Sequence, residues 1–275
     1  MSATAPVLST IDARGIARVT LNRPAKHNAF DADTIALLHA LLARLARDAS
    51  VRVVVLTGSG PTFCAGADLE WMKHMATLDA GANLADARAL AELLATLDRL
   101  PKPTIARVQG AAYGGGVGLI ACCDIAIGLS EARFALTEVR MGLVPATISP
   151  YVLAAIGPRL ARRYLLTAEP LSAAAAVDAG LLHEACEAAQ LDERVTAHVN
   201  LLLKAGPAAL RECKELIHEV RAQPGAGVAL RLSTAQRLAR LRLSDEGREG
   251  MRAFLDKRKP DWWRCRFPMN AGRRR

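Results

Sequence analysis

The residue pattern predicts a layered α/β fold. Short apolar strands alternate with amphipathic helices over the first half of the chain, glycine-marked turns separate them, and from Ser149 onward the pattern is almost wholly helical. With 275 residues, the chain is long enough to bury a sizeable core. Aromatic residues make up only 4% of it, so Leu, Val and Ala must fill that core.

Residues 7–11 and 16–21 are apolar runs around the polar turn 12–15, the signature of a hairpin, and Asn22, Arg23 and Pro24 end it. Over 33–47, Ile35, Leu38, Leu41, Leu42 and Leu45 recur at helical spacing, with Asp31 or Asp33 placed to cap the start. The valine run 51–57 stops at Gly58-Ser59-Gly60-Pro61 and reads as a fully buried strand. A second helix is predicted over 83–100, ended by Pro101 and Pro103. A strand at 104–108 then leads into Gly114-Gly115-Gly116 and a short apolar helix reaching Cys123. Strands at 124–127 and 134–138 follow. Helix breaks are expected at Gly157-Pro158, Gly180, Gly206-Pro207 and Pro224-Gly225, and a domain boundary near residue 200.

The formal charge of +9 suits nucleic acid, an anionic membrane or an acidic small molecule. Much of it sits in a terminal cluster, Arg264, Arg266, Arg273, Arg274 and Arg275, read as a solvated tail. No zinc-finger or RNA-binding signature accompanies it, which argues against nucleic acid as a partner. The cysteines, Cys64, Cys122, Cys123, Cys186, Cys213 and Cys265, form no C-x-x-C pair and no metal-ligand spacing with histidine, so reduced thiols and no metal site are expected. Residues 1–15 lack a secretory pattern, so the cytoplasm is the expected compartment. The longest apolar run, 110–123, is too short and glycine-rich to span a bilayer.

Three segments suit chemistry better than scaffolding. Residues 63–69, Phe-Cys-Ala-Gly-Ala-Asp-Leu, put small side chains between a buried strand and a helix start, where a ligand can touch the backbone and free amides favour negative charge. A tight turn built on Gly66 explains the same residues. The glycine cluster 110–118 is costly to order for a turn alone, and neither it nor Gly58-Ser59-Gly60 fits a nucleotide-loop spacing. In 137–145, Glu138 stands among apolar residues before a Gly/Pro-marked loop, where a carboxylate either points into a pocket or is an ordinary surface charge.

In this order, with Leu21-Asn22-Arg23-Pro24, Asn28-Ala29-Phe30 and Val53 to Gly58 ahead of them and Cys123-Asp124 between, these segments resemble the crotonase superfamily of enoyl-CoA hydratases and isomerases. The resemblance implies a spiral of ββα turns over residues 1–200 holding an acyl-CoA site. Residues 201–275 would form a helical oligomerisation or lid region, and the chain a homotrimer or dimer of trimers. It implies no metal and no cofactor, coenzyme A being part of the substrate. By position it assigns the oxyanion-hole amides to Ala67 and Gly115 and proton transfer to Glu138. Ala65, Asp68, Leu69, Glu70 and Gly114 would line the substrate. Lys26 and Lys257 would approach the CoA phosphates, Lys257 serving a neighbouring subunit.

One departure matters. Two-acid hydratases of the family carry a glutamate two residues after the glycine triplet, and here that position is Gly118. Glu138 then acts alone, either in hydration or as the proton shuttle of a double-bond isomerase, unless Glu70, His74 or Asp79 substitutes for the missing acid. A non-catalytic or RNA-associating relative is the remaining alternative. Residues 65–72, 114–119 and 137–151 resemble more closely the bacterial hydratases acting on 3-methylglutaconyl-CoA or its isoprenoid homologue. For such a carboxylated substrate Arg140 is the candidate cationic partner.

Overall fold

The computed structural model describes residues 5–223, 225 and 227–263. Strands β1 (Val7–Ile11) and β2 (Ile16–Leu21) form the expected antiparallel hairpin. Its turn is closed by the Asp12 carboxylate, which accepts from the Arg14 and Ile16 amides. Of the two capping candidates, Asp31 caps α1 (Ala32–Arg47), accepting from the Thr34 amide at 2.8 Å. The buried stripe Ile35, Leu38, Leu41, Leu42 and Leu45 follows the predicted period. Each of these leucines, once buried, contributes roughly 2 kcal/mol of transfer free energy.

The chain then winds through repeated strand, strand, helix turns. β3 (Val53–Gly58), buried along its length, is followed by β4 (Thr62–Cys64), α2 (Leu69–Met75) and α3 (Ala80–Asp98). The next turn is β5 (Thr104–Val108), β6 (Ala111–Tyr113) and α4 (Gly115–Cys122). After it come β7 (Ile125–Leu129), β8 (Arg133–Ala135) and α5 (Ser149–Thr167). Each turn gives its first strand to one sheet and its second to another. After β9 (Leu171–Ser172), α6 (Ala173–Ala179) and β10 (Glu184–Cys186), the sheet orders are β1-β2-β3-β5-β7-β10 and β4-β6-β8-β9. Apart from the β1–β2 hairpin and the β8–β9 pair, the strands run parallel, which is why the buried β3 reads as a nearly continuous apolar run.

Helices α7 (Leu191–Lys204), α8 (Pro207–Ala222), α9 (Val228–Leu243) and α10 (Asp245–Leu255) complete the chain. Residue 200, the expected boundary, falls inside α7. Among the described residues, no helix is long and apolar enough to cross a membrane. Gly157 interrupts α5 with φ 69°, and Gly180 ends α6 in the left-handed conformation. Pro224, Cys265 and the terminal arginines lie outside the described residues.

Two expectations are corrected. The strand predicted to run to Glu138 stops at Ala135, and Glu138 instead opens a 3-10 turn, Glu138–Met141, closed by Gly142 at φ 72° and by the Leu143 amide donating to the Glu138 carbonyl. The helical second half also contains β10, which extends the large sheet through parallel pairing with β7.

Candidate active site

Phe30 ties the two predicted amide donors together. Its backbone forms an isolated parallel bridge with Ala67: the Phe30 amide donates to the Gly66 carbonyl and the Asp68 amide to the Phe30 carbonyl. In such a bridge the partner residue's own N–H faces the other way, so the Ala67 amide turns from Phe30 towards the neighbouring cavity. The Gly115 amide is the first of α4, a position without an intrahelical acceptor. Among the described residues, neither amide donates to a backbone carbonyl. Small residues are required here. A methyl on Gly115 would lie 2.8 Å from the Phe30 ring, and one on Gly66, which has φ 85°, would lie 3.0 Å from the Tyr113 carbonyl oxygen.

The Glu138 carboxyl lies against this same backbone: a methyl on Gly114 would be 2.9 Å from Glu138 Oε1. Oε2 is buried and finds no hydrogen-bond partner among the described residues. Burial pushes the Glu138 carboxyl above its ordinary value, outweighing the opposing effect of its own backbone N–H. An unsatisfied buried carboxyl costs stability, and it is the kind of group that exchanges protons with a ligand.

Gly118, one turn into α4, has no room for a side chain. A methyl there would lie 2.9 Å from Ile148 Cβ, closer still to Ile148 Cγ2, and 3.6 Å from Leu94 Cδ2. The place a second acid would occupy is packed with aliphatic carbon.

Ala65, Gly66, Ala67, Leu69, Gly114, Gly115 and Glu138 line one cavity of about 390 Å³, walled also by Met72, Met75, Leu90, Met141 and Ile148. Asp68 does not line it. Its buried carboxylate caps α2, accepting from the Glu70 amide at 2.8 Å, and pairs with Arg23 at 2.9 Å. Desolvation works against ionisation there, but those amides together with Lys26 and Arg23 hold the Asp68 carboxyl below its ordinary range. Lys26 and Glu70 border an adjacent polar depression with Arg23 and Asp31. Lys257 is exposed after α10, with φ 52°, and lines neither space.

Arg140 does not line the cavity; its guanidinium donates to the Ala168 carbonyl at 2.9 Å. Of the three substitute acids, Glu70 pairs with Lys73, Asp79 caps α3, and His74 is exposed on α2, so none lines the cavity. Sequence reasoning missed two residues. Arg23 holds the loop together through Ala29, Asp31 and Asp68. Asp86 lines the cavity from α3, and its signal was available: 86, 90 and 94 follow each other at i, i+4 on one face, so a carboxylate shares the stripe of Leu90 and Leu94.

Two free amides converging on a cavity beside a buried carboxyl can stabilise an oxyanion and move a proton at the adjacent carbon. Known proteins resemble the chain over most of its length. Residues 12–264 match the family model for enoyl-CoA hydratase/isomerase. A crystal structure of an enoyl-CoA hydratase from Shewanella pealeana superposes with a TM-score of 0.91 at 41% identity, covering 94% of this chain and 96% of that one. The 2,3-dehydroadipyl-CoA hydratase of Escherichia coli is 35% identical over 89% of this chain and 93% of its own. The short-chain-enoyl-CoA hydratase of Clostridium acetobutylicum is 30% identical over 91% and 95%. The chain therefore belongs to the enoyl-CoA hydratase/isomerase family of enzymes, and its ββα spiral is the fold of that family.

Proposed function

We propose that the enzyme adds water across the α,β double bond of a 2-enoyl-CoA, with Glu138 as its single acid and base. The observation that carries this reading is the buried, unpartnered Glu138 carboxyl against the Gly114–Gly115 backbone, with Ile148 filling the space of a second acid. The thioester oxygen is held by the Ala67 and Gly115 amides. The ionised Glu138 takes a proton from water as the oxygen bonds to the β-carbon, and the electron pair of the double bond moves into the enolate. Glu138 then returns the proton to the α-carbon, and the carboxylate is regenerated. One carboxyl completes the cycle because it is base in the first step and acid in the second. Stabilisation of the enolate by preorganised amides is the larger contribution.

Coenzyme A enters as part of the substrate, with no separate cofactor. Lys26 beside the polar depression, and Lys257 from a neighbouring subunit of a homotrimer or dimer of trimers, approach its phosphates. We place the enzyme in the cytoplasm. For the acyl group we favour 3-methylglutaconyl-CoA or its isoprenoid homologue, from the combined likeness of residues 65–72, 114–119 and 137–151. A relative named for dehydroadipyl-CoA, whose acyl group also ends in a carboxylate, supports the same class.

A single carboxylate beside the amides also suits a second reading, in which Glu138 takes the α-proton of a 3-enoyl-CoA and returns it to the γ-carbon. Product analysis in heavy-oxygen water separates the two, using crotonyl-CoA, 3-methylglutaconyl-CoA and a 3-enoyl-CoA with a Glu138→Gln control. Label in the product, lost in the variant, supports hydration. Double-bond migration without label establishes the isomerase, and no turnover of any substrate refutes both.

A further inference from the structure

Resting on the hydratase reading, we propose that Asp86 is a specificity-determining residue of the acyl pocket, recognising acyl groups that carry a second carboxyl through one proton shared between the two carboxyls. Position comes first. Leu94 of α3 stands over Gly118 of α4, and Asp98 lies near Cys122 four residues further on each helix, so the two helices run parallel in that register. Leu90 is then level with Gly114, next to the Gly115 amide that would hold the thioester. Asp86 stands one more turn out, about 6 Å along the axis, where the acyl group must pass.

The second argument is the chemistry of the walls. Among the described residues, no Lys, Arg or His lines the cavity, and the Arg140 guanidinium is turned to Ala168. A bare carboxylate on the acyl chain would meet Met72, Met75 and Leu90 with no counter-charge, a costly burial. Among the described residues, Asp86 is the one carboxyl besides Glu138 that lines the cavity. Desolvation raises it above the ordinary aspartate value, against the Trp71 side chain, which donates to it, and His74, both on α2. The other facing groups do not compete. Glu138 stands at the reacting carbons, α4 presents only Gly115 to the cavity, and no residue of α1 lines it. Two carboxyls brought together cannot both stay ionised, so the pair retains one proton and becomes a hydrogen bond between acid and carboxylate. Binding of a carboxylated acyl group therefore takes up one proton, whereas binding of an alkyl group does not.

The test uses two saturated thioesters of equal length, glutaryl-CoA and pentanoyl-CoA, so that binding is read without turnover. Titration calorimetry on the full-length enzyme from pH 5.5 to 8.5, in buffers of different ionisation enthalpy, gives affinity and proton uptake together. For the wild type, one proton is taken up with glutaryl-CoA only, and its affinity weakens as pH rises while that of pentanoyl-CoA stays level. Asp86→Asn, whose amide is a permanent donor, keeps glutaryl-CoA binding and removes its pH dependence. Asp86→Ala weakens glutaryl-CoA roughly tenfold, the size of one hydrogen bond to a charged group, and leaves pentanoyl-CoA unchanged, which also reports an intact fold. Equal weakening of both ligands in Asp86→Ala, or loss of glutaryl-CoA binding in Asp86→Asn, overturns the proposal. Crotonyl-CoA hydration by the same preparations tests the hydratase reading separately.

Discussion

If Gly118 is glycine because Ile148 fills its side-chain space, adding one methyl there is the sharpest perturbation of the site. The methyl of Gly118→Ala would sit 2.9 Å from Ile148 Cβ and nearer to Cγ2, against about 3.5–4.0 Å for relaxed carbon contacts, so Ile148 must retreat by around an ångström. Ile148 is buried at 2% exposure and has little room to do so. Overpacking of this kind costs roughly 1–3 kcal/mol, offset by about 1 kcal/mol because alanine is the better helix former. The net loss of up to about 2 kcal/mol corresponds to a Tm fall of a few degrees, at roughly 2–4 °C per kcal/mol in a chain of this size. The discriminating quantity is the coupling with Ile148→Ala. In that background the nearest atom, Cγ2, is gone while the Cβ at 2.9 Å remains, so Gly118→Ala keeps only a small part of its cost, giving a coupling of about 1 kcal/mol or more. The assay is thermal and urea unfolding of the four proteins at one fixed concentration. A Gly118→Ala enzyme more stable than wild type, or additive effects in the double variant, would refute the packing argument. Gly118→Glu, for the same reason, gains no hydration rate.

Replacing Glu138 with Gln should lower kcat by about 10²–10⁴-fold, the usual worth of a positioned acid or base. In the wild type kcat/KM should climb as pH rises through a Glu138 pKa lying above the ordinary glutamate value, because the ionised form starts the cycle, and steady-state rates of the variant should lack that limb. Stability runs the opposite way. A carboxyl raised on folding binds its proton more tightly in the folded state, so it stabilises at low pH and loses that contribution as pH passes the folded pKa. Melting curves should accordingly find Glu138→Gln at least as stable as wild type near neutrality, with the difference vanishing in acid. Gly114→Ala puts a methyl against Glu138 Oε1 at a residue with φ 48°, and should reduce kcat with a smaller change in KM, as read from initial rates. Burial holds the thiols of Cys64 and Cys123 up at about 12 and that of Cys122 well above its ordinary value. Peptide mapping after alkylation of the native enzyme at pH 8 should thus find Cys213, which is exposed, modified ahead of those three.

The sequence made the regular parts of this fold legible because a single period dominates each of them. The stripe on α1 and the valines of β3 repeat often enough to exclude other readings. β10 escaped notice because three residues carry no period, and it is a strand only through its pairing with β7, beside which the His183 amide donates to the Ala126 carbonyl. The strand drawn through Glu138 failed for a related reason. Apolar neighbours continue past Ala135, but the left-handed Gly142 and the Leu143 amide close a turn around Glu138. In the site, the glycines and small residues were readable as places where backbone must be approached. Asp86 was not singled out, since an isolated aspartate on a helix looks solvated until its i, i+4 neighbours are known to face a cavity.

Two departures from a simple core, the glycine-rich backbone and the single carboxylate beside it, both follow from close packing. Phe30 bridges to Ala67 through its backbone and covers Gly115 with its ring, so one buried residue fixes the separation of both amides. That arrangement requires no side chain at Gly115, where the ring lies, and separate contacts exclude one at Gly66, which approaches Tyr113, and at Gly118, which packs against Ile148 and Leu94. A second acid on α4 would have to displace Ile148 and bring a desolvated charge beside Leu94. Leaving that position as glycine lets Ile148 pack there and reach the cavity wall, and burial in that largely apolar cavity raises the pKa of Glu138. A carboxyl tuned towards neutrality can give and take one proton within a single turnover, so the packing that excludes the second acid also equips the first to act without it.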